Sequence, residues 1–172
     1  MPFTPYHFGP SGFVGLVFRK WIDIPVFVLA NVVVDIEVLV IMLLGIGKSV
    51  HRYCHTLLIG AVVGVIWAVA AYPLRHFFKK IMQIFRVRYE TSFCKMLISG
   101  ILGVWFHVLI DSLCWGDVRP FWPLDANPLL NLVTVRTVRL VCIILFVPAI
   151  FLYVIAAVSY ARKNNVKKVN PK

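Results

Sequence analysis

Seven side chains able to bind a metal ion, His7, Asp35, Glu37, His51, His55, His107 and Asp111, sit at helix-compatible intervals in a strongly apolar chain. Imidazole and carboxylate together, without thiolate, suit zinc first, with iron or manganese as the alternatives. The run of oxygen ligands that magnesium or calcium needs is missing. His51 and His55 are four residues apart, as are His107 and Asp111. On a helix that spacing stacks two side chains on one face, where they can share an ion. Asp35 and Glu37 are two apart and would point to different faces of a regular helix. Either the helix breaks there or the two carboxylates have separate roles, one as ligand and the other as general base or supporting group. A mononuclear catalytic centre needs only three protein ligands beside its open position, so this set can hold one ion or two.

The solvent around these groups follows from composition. With 60% hydrophobic and 15% charged residues and a mean hydropathy of +0.86, the chain is expected to be one all-α integral membrane domain. Ionisable groups at bilayer depth are costly and mark functional sites, which raises the weight of the seven. The start, MPFTPYHFGP, lacks a basic segment followed by an apolar run and cleavage site, so it is read as part of the mature protein. A net charge of +11 does not indicate nucleic acid, because the cations collect at the ends of apolar runs. Cys54, Cys94, Cys114 and Cys142 form no CxxC pair and are expected as buried free thiols.

Four stretches, residues 24–46, 56–72, 96–115 and 138–160, are long enough to span as helices, and residues 8–18 make an N-terminal half-helix. Arg19 and Lys20, the 75–95 connection and the 162–172 tail hold most of the Lys and Arg. The positive-inside rule places them, and the C-terminus, in the cytoplasm, with the histidine-rich ends outside. Lys48, Arg52, Arg119, Arg136 and Arg139 fall on the outer side. The 75–95 connection interleaves Phe77, Phe78, Ile81, Ile84 and Phe85 with its cations, as expected of an amphipathic helix on anionic lipid or of a solvated helix extension. Residues 1–160 are expected as the membrane-embedded, metal-dependent hydrolase-like domain and 161–172 as a basic, disordered cytoplasmic tail. At a helical rise of about 1.5 Å per residue, Asp35, His107 and His7 reach a common depth. His51 and His55 come out nearer the outer edge and need a tilt or kink to join them.

In this combination the chain resembles the LexA-regulated, inner-membrane, metal-dependent hydrolase-like family. The resemblance rests on His7 in PFTPYHFGP, Asp35 and Glu37 in DIE, His51 and His55 in HRYCHTLL, and His107 and Asp111 in HVLIDS leading to DVRPFWPLDANPLL. It covers about residues 1 to 130, with two departures: DxE in place of DxD, and CWGDVRP after HxxxD in place of a Thr and Gly segment. It implies an inner-membrane hydrolase using metal-activated water. The HxxxD element is also similar to that of zinc phospholipase C, which suggests a phosphoester on a lipid or lipid-linked substrate.

Plainer explanations exist for the parts. His51 and Arg52 can be interfacial residues starting a helix, and Asp35 and Glu37 can pair with Arg52 or Lys48. His107 is hardest to explain so, because it lies inside an apolar span with Asp111 at the matching spacing. Arg119 can hold a substrate phosphate through paired donors or simply anchor topology. Trp115, Phe121 and Trp122 suit an aromatic belt, and Asn127 with Pro128 a turn. His76, Asp23 and Glu90 are expected to be interfacial or solvated. The rival functions are a divalent-metal transporter, which also needs acidic and histidine groups at mid-membrane, and a structural membrane protein with a bound metal.

Overall fold

A computed structural model describes residues 4–45 and 50–169, so Lys48 lies outside the described residues. The chain forms α1 (Thr4–Val17), α2 (Ile24–Leu44), α3 (Leu57–Ala71), a 3-10 turn at Tyr72–Leu74, α4 (Arg75–Ile84), α5 (Phe93–Ser112), α6 (Val135–Ile144) and α7 (Phe146–Val169). No strand occurs among the described residues. Four segments, Ile24–Leu44, Leu57–Ile84, Phe93–Ser112 and Val135–Lys163, are long and apolar enough to cross a membrane. The protein is an all-α integral membrane protein with α1 as the short fifth element.

Helix starts carry the expected oxygen caps. Asp23 accepts the N–H of Val26 at 3.2 Å, Thr56 that of Ile59 at 3.1 Å, Ser92 that of Lys95 at 3.2 Å and Thr134 that of Thr137 at 3.2 Å. Each satisfies one of the donors a helix leaves unpaired. At the other end of α2, Gly45 takes φ +62°, the left-handed turn that closes a helix and suits glycine. The last span divides at Leu145 because Pro148 has no N–H to give the carbonyl four residues back, at Ile144, where α6 stops.

The centre of the bundle is α5. Its buried residues, Met96, Ser99, Gly100, Gly103, Val104, His107, Val108, Asp111 and Ser112, follow the three-four spacing of one helix face. Small residues let its neighbours come close. A Cβ on Gly64 of α3 would sit 2.7 Å from the Gly100 carbonyl oxygen, and one on Gly103 would sit 2.6 Å from that of Phe27 in α2. Larger side chains would therefore force the helices apart, as at other small-residue helix contacts in bilayers. Below the polar face of α5, Ala30, Val34, Val104 and Val108 are wholly buried. Leu43, Ile66, Val147, Ile150 and Phe151 lie exposed on the outside, where lipid is their natural solvent.

Several expectations change. Within the basic tail, residues 161–169 continue α7 as helix; they hold no Pro or Gly and are rich in the good helix formers Lys and Arg. Asp23, at the start of the α2 span, is buried instead of solvated. Besides capping α2 it accepts hydrogen bonds from Tyr89 Oη at 2.8 Å and from the Thr91 hydroxyl. Burial, then the Asp23 carboxylate, hold the Tyr89 phenol well above its ordinary pKa, so it stays a donor. All four cysteines are free, but only Cys142 is buried and Cys94 is exposed. His76 is exposed and Arg88 Nε donates to Glu90 at 2.8 Å, as the sequence suggests.

Candidate metal centre

Three helices and one loop converge at the end of the bundle where α5 finishes. One turn of α5 places His107 and Asp111 on the same face, with His107 Nε2 3.3 Å from Asp111 Oδ2. From α2, Asp35 Oδ1 comes within 3.3 Å of His107 Nε2 and 3.6 Å of His55 Nε2. From α1, His7 stacks on the His107 ring at 4.4 Å between centroids and puts Nε2 3.3 Å from Asp111 Oδ1. The loop preceding α3 adds His55 and His51, whose Nε2 atoms lie 4.0 and 3.9 Å from Asp111 Oδ2. Asp111 thus has four imidazoles around one carboxylate, and all five side chains are buried.

The four-residue spacing of His51 and His55 does not act through a helix. Both precede Thr56, the cap of α3, and lie in irregular backbone. That loop is folded inward, which brings the two rings to the cluster without the tilt or kink their outer position demanded. Irregular backbone at membrane depth is tolerated where protein groups satisfy its polar atoms, and here Glu37 does so. Its carboxylate accepts the N–H groups of Arg52, Tyr53 and Cys54 at 3.3, 3.1 and 3.1 Å. It also meets His55 Nδ1 at 3.3 Å. Helix α2 runs unbroken through Asp35 and Glu37, so of the two options read from their spacing, separate roles is the one realised. Asp35 faces Nε2 of His55 and Glu37 faces Nδ1. Glu37, expected as ligand or base, has its carboxylate at the Nδ1 edge of His55 and on the loop amides.

Asp117 does for His51 what Glu37 does for His55. Its Oδ1 meets His51 Nδ1 at 2.9 Å, and its Oδ2 accepts the N–H groups of His51 and Val50 at 3.2 and 3.3 Å. Asp117 is not among the seven residues that the sequence singles out. No periodic spacing links it to His51; only the turn after α5 brings it there. Asn127 fixes that turn, its Nδ2 donating to the Ser112 carbonyl at 2.9 Å and its Oδ1 accepting the Leu129 N–H at 3.2 Å.

An imidazole that donates Nδ1–H to a carboxylate presents the bare lone pair of Nε2 at its other edge. In His55 and His51 the Nδ1 edge meets Glu37 and Asp117, and the Nε2 edge faces the Asp35 and Asp111 oxygens. Both ring nitrogens of His7 and His107, Nε2 of His55 and both oxygens of Asp111 are buried without a hydrogen bond among the described residues. Such groups are costly unless something positive joins them. Burial works against charge on His55, yet Asp35 and Glu37 outweigh it and raise its pKa above the ordinary imidazole value. The pocket favours positive charge at its centre.

A divalent cation fits that requirement. Asp35, His55, His107 and Asp111 each offer a ligand atom, all within 4.8 Å of one another. Two imidazoles and two carboxylates, three of the four deeply buried, are a donor set for zinc, iron or manganese. The nearby thiols do not compete, since burial and then Glu37 push Cys54 up to about 11, and burial also raises Cys114.

Beside the cluster opens a cavity of about 550 Å3, bordered by His51, Arg52, Tyr53, Asp117, Arg119 and Trp122. His51 belongs to both cavity wall and cluster. Arg119 is at the cavity but holds Asp125 at 2.7 Å, so a phosphate there would have to displace that carboxylate.

A sequence model described as YdjM inner membrane protein matches residues 20–169. The match begins after His7 and takes in the other six candidate residues. No curated protein and no solved structure matches.

Proposed function

The chain belongs to the YdjM inner membrane protein family, and on that premise we propose that it is a membrane-bound, metal-dependent hydrolase cleaving a phosphoester on a lipid or lipid-linked substrate. The observation that supports this most is the convergence of four imidazole Nε2 atoms on Asp111, whose buried oxygens lack hydrogen bonds among the described residues. Asp35, His55, His107 and Asp111 would hold the ion, zinc by preference. When bound, it supplies Lewis-acid polarisation of a phosphoryl oxygen and activates water. His51 stands between that centre and the cavity; with Nδ1 held by Asp117, its Nε2 is the atom placed to accept or return a proton. Arg52 and Arg119 bring positive charge to the cavity for the phosphate. Tyr53 and Trp122, in edge contact at 6.1 Å, suit the headgroup level, where a lipid can enter sideways. By the positive-inside rule, the distribution of Lys and Arg supports a topology with this end outside and the C-terminus in the cytoplasm.

The packed apolar layer beneath the cluster, Ala30, Val34, Val104 and Val108, favours a site over a conduction path. Detergent-purified protein, assayed on bis-p-nitrophenyl phosphate and on phosphatidic acid, should hydrolyse at least one of them. The activity should disappear on chelation, return with zinc, and be absent from His107→Ala. Zinc uptake into proteoliposomes with no ester cleaved would overturn the proposal in favour of a transporter.

A further inference from the structure

At the opposite end of the bundle, where α1, α3 and α7 finish and α2 and α5 begin, a second cavity of about 700 Å3 opens between α1, α7 and the loop before α5. Five cations border it, Arg19, Lys20, Arg88, Lys95 and Lys163, against the single carboxylate of Glu90. They come from three separate parts of the chain, so this is a concave convergence and not a basic run along one helix. Lys95 is fixed in place by donating to the carbonyls of Arg19 and Glu90 at 2.9 and 2.8 Å, which ties the end of α1 to the start of α5. Ser159 and Tyr160 of α7 add hydroxyls to the opposite wall. The positive end of the α5 dipole lies at Ser92 on the same wall. The surroundings are apolar and exposed: Val17, Phe18, Trp21, Ile155 and Val158.

We propose that this cavity binds the phosphate of an anionic phospholipid headgroup, with the acyl chains lying along the exposed apolar residues of α1 and α7. Basic pockets at the membrane ends of helix bundles have the chemistry for such headgroups, and several convergent donors suit a phosphate. The exposed Val17, Phe18, Ile155 and Val158 beside the cations select a lipid over a free anion, because a free phosphate uses none of them. The site is independent of the metal centre.

The test is native mass spectrometry of the full chain in neutral detergent, titrated with phosphatidylglycerol, phosphatidylcholine or inorganic phosphate. Wild type should retain phosphatidylglycerol in preference to phosphatidylcholine, and millimolar inorganic phosphate should not displace it. The triple variant Arg19→Gln/Lys20→Gln/Lys163→Gln should bind phosphatidylglycerol about a hundredfold more weakly, while Lys79→Gln/Lys80→Gln/Arg86→Gln, which removes the same charge from outside the cavity, should bind as wild type does. Glu90→Gln should bind more tightly, and this variant keeps the test decisive if the triple variant fails to fold. Equal losses in both triple variants, displacement by inorganic phosphate, or no gain in Glu90→Gln would each overturn the proposal.

Discussion

Two buried carboxylates, Asp23 at the basic end and Asp111 at the cluster end, are each only 1% exposed, and they are served in opposite ways. Around Asp23 everything is in line. Val26 N–H, Tyr89 Oη and the Thr91 hydroxyl donate to its oxygens, and its own N–H goes to Ser99 Oγ at 2.7 Å. Around Asp111 four imidazoles come within 4.0 Å, and neither oxygen receives a hydrogen bond among the described residues. The satisfied carboxylate ties the start of α2 to the loop between α4 and α5, while the Asp23 N–H reaches α5, and the residue belongs to the fold. A crowded one, with no hydrogen bond to either oxygen among the described residues, is a group that a bound cation would satisfy.

The sharpest way to break this contrast is to neutralise each acid in turn. Asp111→Asn should weaken metal binding more than a hundredfold, beyond the 10–100-fold typical of losing a supporting group. Chelation should lower the melting temperature of wild type but not of this variant, since an ion at about 100 times its Kd contributes about 2.7 kcal/mol to the folded state. Thermal melts with and without chelator read both effects. Next in size, Glu37→Gln should cost about 10–100-fold in metal affinity while the protein remains folded. Faster hydrogen exchange at the amides of Arg52, Tyr53 and Cys54 would show that the loop has lost its anchor. Unchanged affinity would mean that Glu37 serves the loop alone.

Asp23→Asn gives the complementary result. It should destabilise by about 1–3 kcal/mol, because Tyr89 and Thr91 lose an ionised partner, yet metal per chain should not change. A loss of metal in Asp23→Asn would erase the distinction between the two ends. The smallest effect belongs to Arg119→Gln, whose exposed pair with Asp125 contributes no more than about 0.5 kcal/mol to stability. If Arg119 serves substrate, this variant raises KM with little change in melting temperature.

How much of this could be read in the sequence depended on whether position along a helix carried the information. The spans were legible, and so was the α5 face, since His107 and Asp111 continue the three-four run of Ser99, Gly100, Gly103 and Val104. Asp35 joined them at the depth its helical rise implies. His51 and His55 were chosen because their spacing matched a helix, but a loop brings them to the cluster. Asp117 was passed over because the fold of residues 113–134, which Asn127 clamps, has no period to read. Glu37 was recognised, but its place behind His55 follows from the loop amides it accepts, and nothing in DIE announces them. The Asp23 cluster escaped because three of its partners lie 66 to 76 residues away.

The most direct test of the central claim is elemental analysis of detergent-purified protein, wild type beside His107→Ala/Asp111→Ala, read as metal atoms per chain. About one or two zinc, iron or manganese ions per chain in wild type, absent from the variant, is the expected result. No metal in either sample after reconstitution with each ion would contradict it and leave the histidines and Asp111 as a protonated buried network.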